Sequence, residues 1–447
     1  KKTMLPAVML ASCVFFSCTK VPEMTLEEID AAISKSSDDF FTATVSKPWT
    51  ENTNIRPGTV GGVWYDTIMG DPKTFNQLIG ERDGQSSGII EMTQDSLIDY
   101  DFVKGEWVPR LASFQLEPDE EKDILTIHFT IRDDVFWTYS NKDEKIPLTS
   151  DDFVWWYNEI EGDPQFQSSG YGSHFMAMAD GSTGVIEMVK VDDKKFDIIF
   201  PRIIADPLLF SNCAPAPSFV YRPAKEAKGA DGVKELFSID TDPRNIPSCG
   251  KWYITEYTPS QRLVFTRNPN YWEKDSNGIS IPYKEQFVAQ IIGDGNTDFL
   301  LFKQGKLETY VPTPENVDDV ISNQGNSYTV YNSEGGIGAP LWTFNQNPVN
   351  KNEPFYEWFT CKEFRQAMSC LMNRDRIISQ VYHGLAEPCL YLFPKPNAYY
   401  NENITLQYLY DHKRAAELLA KRNYPITGSE QYALRLHCLQ CSPTKTS

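Results

Sequence analysis

A chain of 447 residues exceeds what one hydrophobic core ordinarily holds, so two or three domains are expected. A hydrophobic share of 41% and a charged share of 23% are those of a soluble globular protein, and 22 Tyr with 26 Phe allow large cores or an aromatic-lined cleft. The net charge of −19 is spread without a basic block and repels a phosphate backbone, which excludes nucleic acid as a partner.

In chain order, Lys1 and Lys2 precede the apolar run Met4–Phe16, which is too short to span a bilayer and reads as a secretory signal. A small residue before a Cys at its end looks like a lipoprotein-processing site. Leu10-Ala11-Ser12-Cys13 and Phe15-Phe16-Ser17-Cys18 both qualify; Cys18, where the apolar run ends, is the chosen lipid anchor and Cys13 the alternative. Residues 1–18 are thus a lipoprotein signal peptide and 19–54 a tether, helix-like over Thr25–Ile33. The acidic run Glu117–Asp123 reads as a solvated turn. Leu125–Ile131 alternates apolar and polar residues as a half-buried strand does, and Phe196–Phe200 and Arg262–Phe265 read as further strands. Thr149-Ser150-Asp151-Asp152 caps a helix beginning near Phe153, and Asp411 caps another over about 412–422 with Ala415, Ala416, Leu418 and Leu419 inward. Cys213, Cys249, Cys361, Cys370, Cys389, Cys438 and Cys441 form no disulfide framework, and the lone pair Cys438/Cys441 lacks the second pair a zinc site needs.

An ordered series of segments then carries a resemblance. Gly70-Asp71-Pro72-Lys73-Thr74-Phe75-Asn76 opens it, followed by Trp107–Ser113, then Ile131-Arg132-Asp133-Asp134-Val135-Phe136-Trp137 and Ile146–Phe153. Gly250–Tyr257 and Leu263–Trp272, with the string Arg267-Asn268-Pro269-Asn270-Tyr271-Trp272, are the most specific. Phe302–Glu308, Leu341–Asn345, Phe364–Met368, Asn373–Ile378 and Gly384–Pro388 complete the series. Together they resemble the family 5 extracellular solute-binding proteins, which include dipeptide- and oligopeptide-binding proteins of ABC importers.

That resemblance implies an α/β, two-lobe periplasmic-binding-protein-like fold of type II with an additional small domain. Lobe I would comprise 55–82 and 186–285, the small domain 83–185, and lobe II, incomplete, 286–447. Family members continue beyond the helix at 412–422, whereas His437–Ser447 resembles nothing in them, so weak or absent binding is expected of this chain. The implied function is capture of a peptide between the lobes for delivery to an ABC transporter permease, by a monomer held at the membrane surface through its lipid. No catalytic residue, metal or cofactor is expected. Ligand contacts implied by position are Glu81, Tyr171, Tyr310, and, on a hinge strand, Trp342, Phe344 and Asn345.

The same segments equally suit an oligosaccharide binder, whose ligand would stack on aromatic rings. A surface lipoprotein acting as an adhesin or chaperone on this fold is a further alternative. A hydrolase is disfavoured, because neither H-E-x-x-H nor G-x-S-x-G occurs and the five His are scattered at 128, 174, 383, 412 and 437.

Overall fold

The computed structural model describes residues 57–101, 104–325, 327–331, 341–389, 392–395, 400–404 and 407–421. These separate into two compact units at the step from Val311 to Pro312. The signal segment with Cys13 and Cys18, the tether, the strand expected from Gln431, and the pair Cys438/Cys441 lie outside the described residues.

The earlier unit holds two four-stranded sheets. In one, Val63–Ile68 pairs in parallel with Gln286–Ile291, which continues antiparallel to Arg262–Arg267 and Trp252–Thr258. Its first strand and its parallel partner lie more than two hundred residues apart in the chain, so this pairing is a tertiary decision with no local turn to set it. In the other sheet the antiparallel order is Glu187–Lys190, Lys195–Phe200, Ile124–Ile131 and Ala112–Asp119. Alternation along Ile124–Ile131 turns Leu125, Ile127, Phe129 and Ile131 inward. Register then sets Phe196 opposite Phe129 and Ile198 opposite Ile127. The Phe196 ring stacks between Phe129, with centroids 5.2 Å apart, and Phe153 at 5.4 Å. The acidic run from Glu117 is only partly a turn: Glu117, Pro118 and Asp119 finish the edge strand before the turn begins, because an edge strand can point charged side chains to solvent.

The helix expected after Thr149-Ser150 begins at Asp151, but its cap differs. Ser150 makes no side-chain cap bond; its hydroxyl donates to the Asp192 carbonyl. The buried Asp152 carboxylate does more, accepting from the Thr149 amide (2.9 Å), the Trp137 indole (3.0 Å), and the Ser218 amide (2.9 Å) and hydroxyl (2.6 Å). The α-helix widens at Tyr157 into a π-turn reaching Glu161, closed by Gly162 donating its amide to the Tyr157 carbonyl at 2.8 Å.

From Pro312 onward the described residues contain helices and no strand. Among the described residues Leu341–Asn347 has no ladder partner, so Trp342, Phe344 and Asn345 do not sit on a described strand: a strand needs a neighbouring edge, and none is described in this unit. The helix His412–Ala420 forms where expected, with the Asp411 side chain accepting from the amides of Lys413 (3.0 Å) and Arg414 (2.9 Å). It buries Ala415, Leu418 and Leu419 against Phe364, Ala367 and Cys370 of Lys362–Leu371. Cys213, Cys249, Cys361 and Cys370 are free thiols.

Candidate functional site

The segments that carried the resemblance turn out to fasten the earlier unit together. In the opening segment the Asp71 carboxylate accepts from the Ser260 amide (2.8 Å), the Tyr257 hydroxyl (2.7 Å) and the Ser260 hydroxyl (3.1 Å). The Ser260 amide is the main reason its acidity is strengthened. Asn76 caps Gln77–Gly80 by accepting from the Ile79 amide at 3.2 Å, and its amide donates to the carbonyls of Val233 (2.7 Å) and Leu236 (2.8 Å). Gly250 is required by close approach: a Cβ there would stand 2.4 Å from the Gln94 carbonyl oxygen.

The most specific string is equally structural. Arg267 donates to the carbonyls of Pro282 (2.7 Å) and Ser280 (2.6 Å), while buried Asn268 accepts from the Tyr253 hydroxyl (2.6 Å) and donates to the Gly250 carbonyl (2.9 Å). Tyr271 and Trp272 both donate to Asp95, at 2.6 and 2.9 Å, and Arg110 grips the same carboxylate through two bonds at 2.8 and 3.0 Å. Burial works against the Asp95 charge, but Arg110, Tyr271 and Trp272 outweigh it and hold the carboxyl below its usual range.

The proposed ligand residues fall into three places. Glu81 ends the helix Gln77–Gly80 and spends both carboxylate oxygens on one turn, accepting from the Ser169 amide (2.6 Å) and the Ser168 hydroxyl (3.1 Å). That turn is the 3₁₀ helix Ser169–His174, which carries Tyr171; its ring meets Phe175 edge-on at 5.2 Å. Two of the six residues are therefore brought to one turn. Tyr310 belongs elsewhere in this unit, its ring stacked on Phe302 (4.9 Å) and Phe299 (5.6 Å) of Gly295–Lys303. Gly305, at φ 68°, ends that helix and donates its amide to the Phe302 carbonyl at 2.8 Å.

In the later unit Trp342 is 62% exposed, with its ring 5.2 Å from Phe344. Phe344 itself packs inward on Phe359 (5.1 Å) and Phe364 (5.9 Å), and the Asn345 side chain accepts from the Asn347 amide at 3.0 Å. Trp342 offers an open aromatic face, whereas Phe344 spends its own on packing.

The sequence reading passed over a group behind the Tyr171 turn: Glu161, His174 and Tyr157. His174 is 6% exposed, its ring lies flat on Tyr157 with centroids 3.7 Å apart, and its Nε2 stands 4.0 Å from Glu161 Oε2. Glu161 Oε1 accepts from the Trp156 indole at 2.9 Å. No motif marks this group, because its members meet only when the turn folds back over the π-turn.

Comparison with known proteins decides the family. Residues 106–445, most of the chain, match the family described as "Bacterial extracellular solute-binding proteins, family 5 Middle". The chain belongs to the bacterial extracellular solute-binding proteins of family 5. Among its relatives, a "Probable ABC transporter-binding protein" of Deinococcus radiodurans is 28% identical over 396 residues, covering 86% of this chain and 63% of that protein. Among solved structures, the periplasmic binding protein DppA from Helicobacter pylori, in complex with the peptide STSA, superposes with a TM-score of 0.59 at 19% identity, covering 82% of this chain and 67% of that one. MelB from Agrobacterium fabrum C58, in complex with stachyose, gives a TM-score of 0.64 at 20% identity, covering 85% of this chain and 57% of that one. These likenesses show that the α/β fold is that of the two-lobe family 5 binding proteins. The chain spans about two thirds or less of the length of these relatives. Family 5 proteins are extracellular solute-binding proteins, and among the described residues no helix is long and apolar enough to cross a membrane.

Proposed function

We propose that this family 5 protein captures peptides for an ABC importer. The observation that supports this best is its fold likeness to a binding protein holding the peptide STSA. A peptide whose side chains vary is best held through its main chain, by polar groups and flat aromatic walls. On this reading Trp342 and Tyr171 contact the peptide with their rings, Tyr310 and Asn345 line the site, Phe344 supports Trp342 from below, and Glu81 shapes the site by holding the Tyr171 turn. Cys18, or Cys13 in its place, carries the lipid that keeps the monomer beside its permease at the membrane surface.

Oligosaccharide capture is the second reading, supported by the likeness to the stachyose complex and by the open Trp342 face on which a sugar ring could stack. Calorimetry on the protein at its full natural length separates the two. Heat released with mixed di- to pentapeptides, and lost in Trp342→Ala, supports the first; heat only with α-galactosides supports the second. No heat with either sinks both.

A further inference from the structure

The group behind the Tyr171 turn has a feature that packing alone does not explain. Two titratable side chains, Glu161 on the π-turn and His174 at the end of the 3₁₀ helix, are packed face to face without a bond between them. His174 Nε2 is buried and has no hydrogen-bond partner, a costly state for an imidazole nitrogen. Its ring cannot swing away. It is pressed on Tyr157, the Tyr157 hydroxyl donates to the Ile186 carbonyl at 2.9 Å, and the Ile186 amide donates back to the His174 carbonyl at 2.8 Å. Glu161 is confined too, since Gly170 of the same turn sits so close that a Cβ there would be 3.0 Å from Oε2.

The surrounding charges decide which protonation state suits this packing. Glu161 faces the Glu81 carboxylate, which disfavours a second negative charge beside it, and the neutral Tyr157 phenol and buried Cys213 thiol, whose own ionisation an ionised Glu161 would oppose. Two cations of the neighbourhood are committed elsewhere: Arg82 donates to the Gln167 carbonyl and Lys225 to the Glu159 carboxylate at 2.8 Å. A protonated Glu161 removes the conflict, because Oε2–H can donate to His174 Nε2 after a small side-chain rotation. Burial, then repulsion by Glu81, pushes the Glu161 carboxyl up to about 7 against the opposing Trp156 bond, while burial keeps His174 neutral.

We propose that Glu161 and His174 form a proton-operated clasp on the turn that carries Tyr171: closed when Glu161 holds its proton, released when that proton passes to solvent. Release lets the ionised carboxylate reach water and frees the Ser169–His174 helix from the π-turn beneath it. The sign follows from linkage. The closed form binds the Glu161 proton more tightly than the open one, so while His174 is neutral closure is favoured below about 7 and weakens as pH rises through it; in more acid solution His174 takes a proton, Nε2 ceases to accept, and the clasp is lost again. Only the consequence for a bound solute rests on the proposed function; the clasp itself does not.

The test uses the full chain without added solute, so failure of solute capture cannot be confused with failure of the clasp. Amide exchange at Ser169, whose N–H is held by Glu81, and Trp156 fluorescence are followed across the neutral range. Wild type is expected to show one transition near pH 7, with Ser169 protection, corrected for base catalysis, falling up to about tenfold per pH unit above it. Glu161→Gln, which mimics the protonated acid, abolishes the transition and stays closed throughout. His174→Phe keeps the ring stack but removes the acceptor, and gives low protection at every pH. A transition that survives in Glu161→Gln, or a wild type that is flat, overturns the clasp. Should the variants fold poorly, carbon-13 titration of the wild-type glutamate carboxyls decides: a Glu161 carboxyl titrating in the ordinary glutamate range overturns it, and one titrating near neutrality supports it.

Discussion

The regions before and after the step at Val311 are stabilised by different means. Before it, among the described residues, two apolar clusters of 20 and 16 buried residues lie against sheets whose strands meet from distant parts of the chain. After it, the described residues bury a single cluster of six, on two helices whose inward positions follow local helical spacing. The earlier region also uses buried polar fasteners, Asp95 and Asp152 above all. The contrast teaches how differently the two regions are fixed. Long-range ladders and buried polar bonds over-determine the first region; among the described residues the second rests on a thin helical core.

The largest effects should come from the two cores. Phe196→Ala removes a fully buried ring from between two others and should cost about 3–5 kcal/mol in denaturant unfolding. Phe364→Ala in the helical cluster should cost less, about 2–3 kcal/mol, because a thin core relaxes into the space left. Equal losses would erase the contrast.

Next comes the fastener. Asp95→Ala strands the Arg110 guanidinium in a mostly buried position and unpairs the Trp272 indole, with Glu273, 3.1 Å from Arg110 and 3.2 Å from the Tyr271 hydroxyl, only a partial substitute. A loss of about 3 kcal/mol is expected. A loss under about 1 kcal/mol would mean that the family's most specific string does not fasten this unit.

The smallest effect is a surface one. His128 bridges three strands of one sheet, from Asp197 at 2.7 Å to Glu117 at 2.9 Å, and those two carboxylates, Asp197 first, raise its basicity. Its folded pKa therefore lies above its unfolded one. The stabilisation is fully present below the unfolded value and is lost as pH rises through the folded one. Because the ring is more than a third exposed, the effect should stay within about 1 kcal/mol. Melting temperature against pH, in wild type and His128→Gln, reads it; identical profiles would remove the bridge as a contributor.

Sequence alone determined what depends on near neighbours in the chain. The alternation in Ile124–Ile131 and the Asp411-capped helix are visible because period and cap are local properties, and the ordered series of motifs was enough for the family. Tertiary structure decided the rest. It showed that the string from Arg267 to Trp272 fastens the unit through Asp95, that Asp152 rather than Ser150 anchors its helix, and that Glu81 is already bonded to the turn carrying Tyr171. It denied Leu341–Asn347 a described ladder and brought Glu161 beneath His174. The reason is the same in each case. A buried polar group takes its meaning from partners that arrive from far along the chain, and no periodicity or spacing records where they will come from.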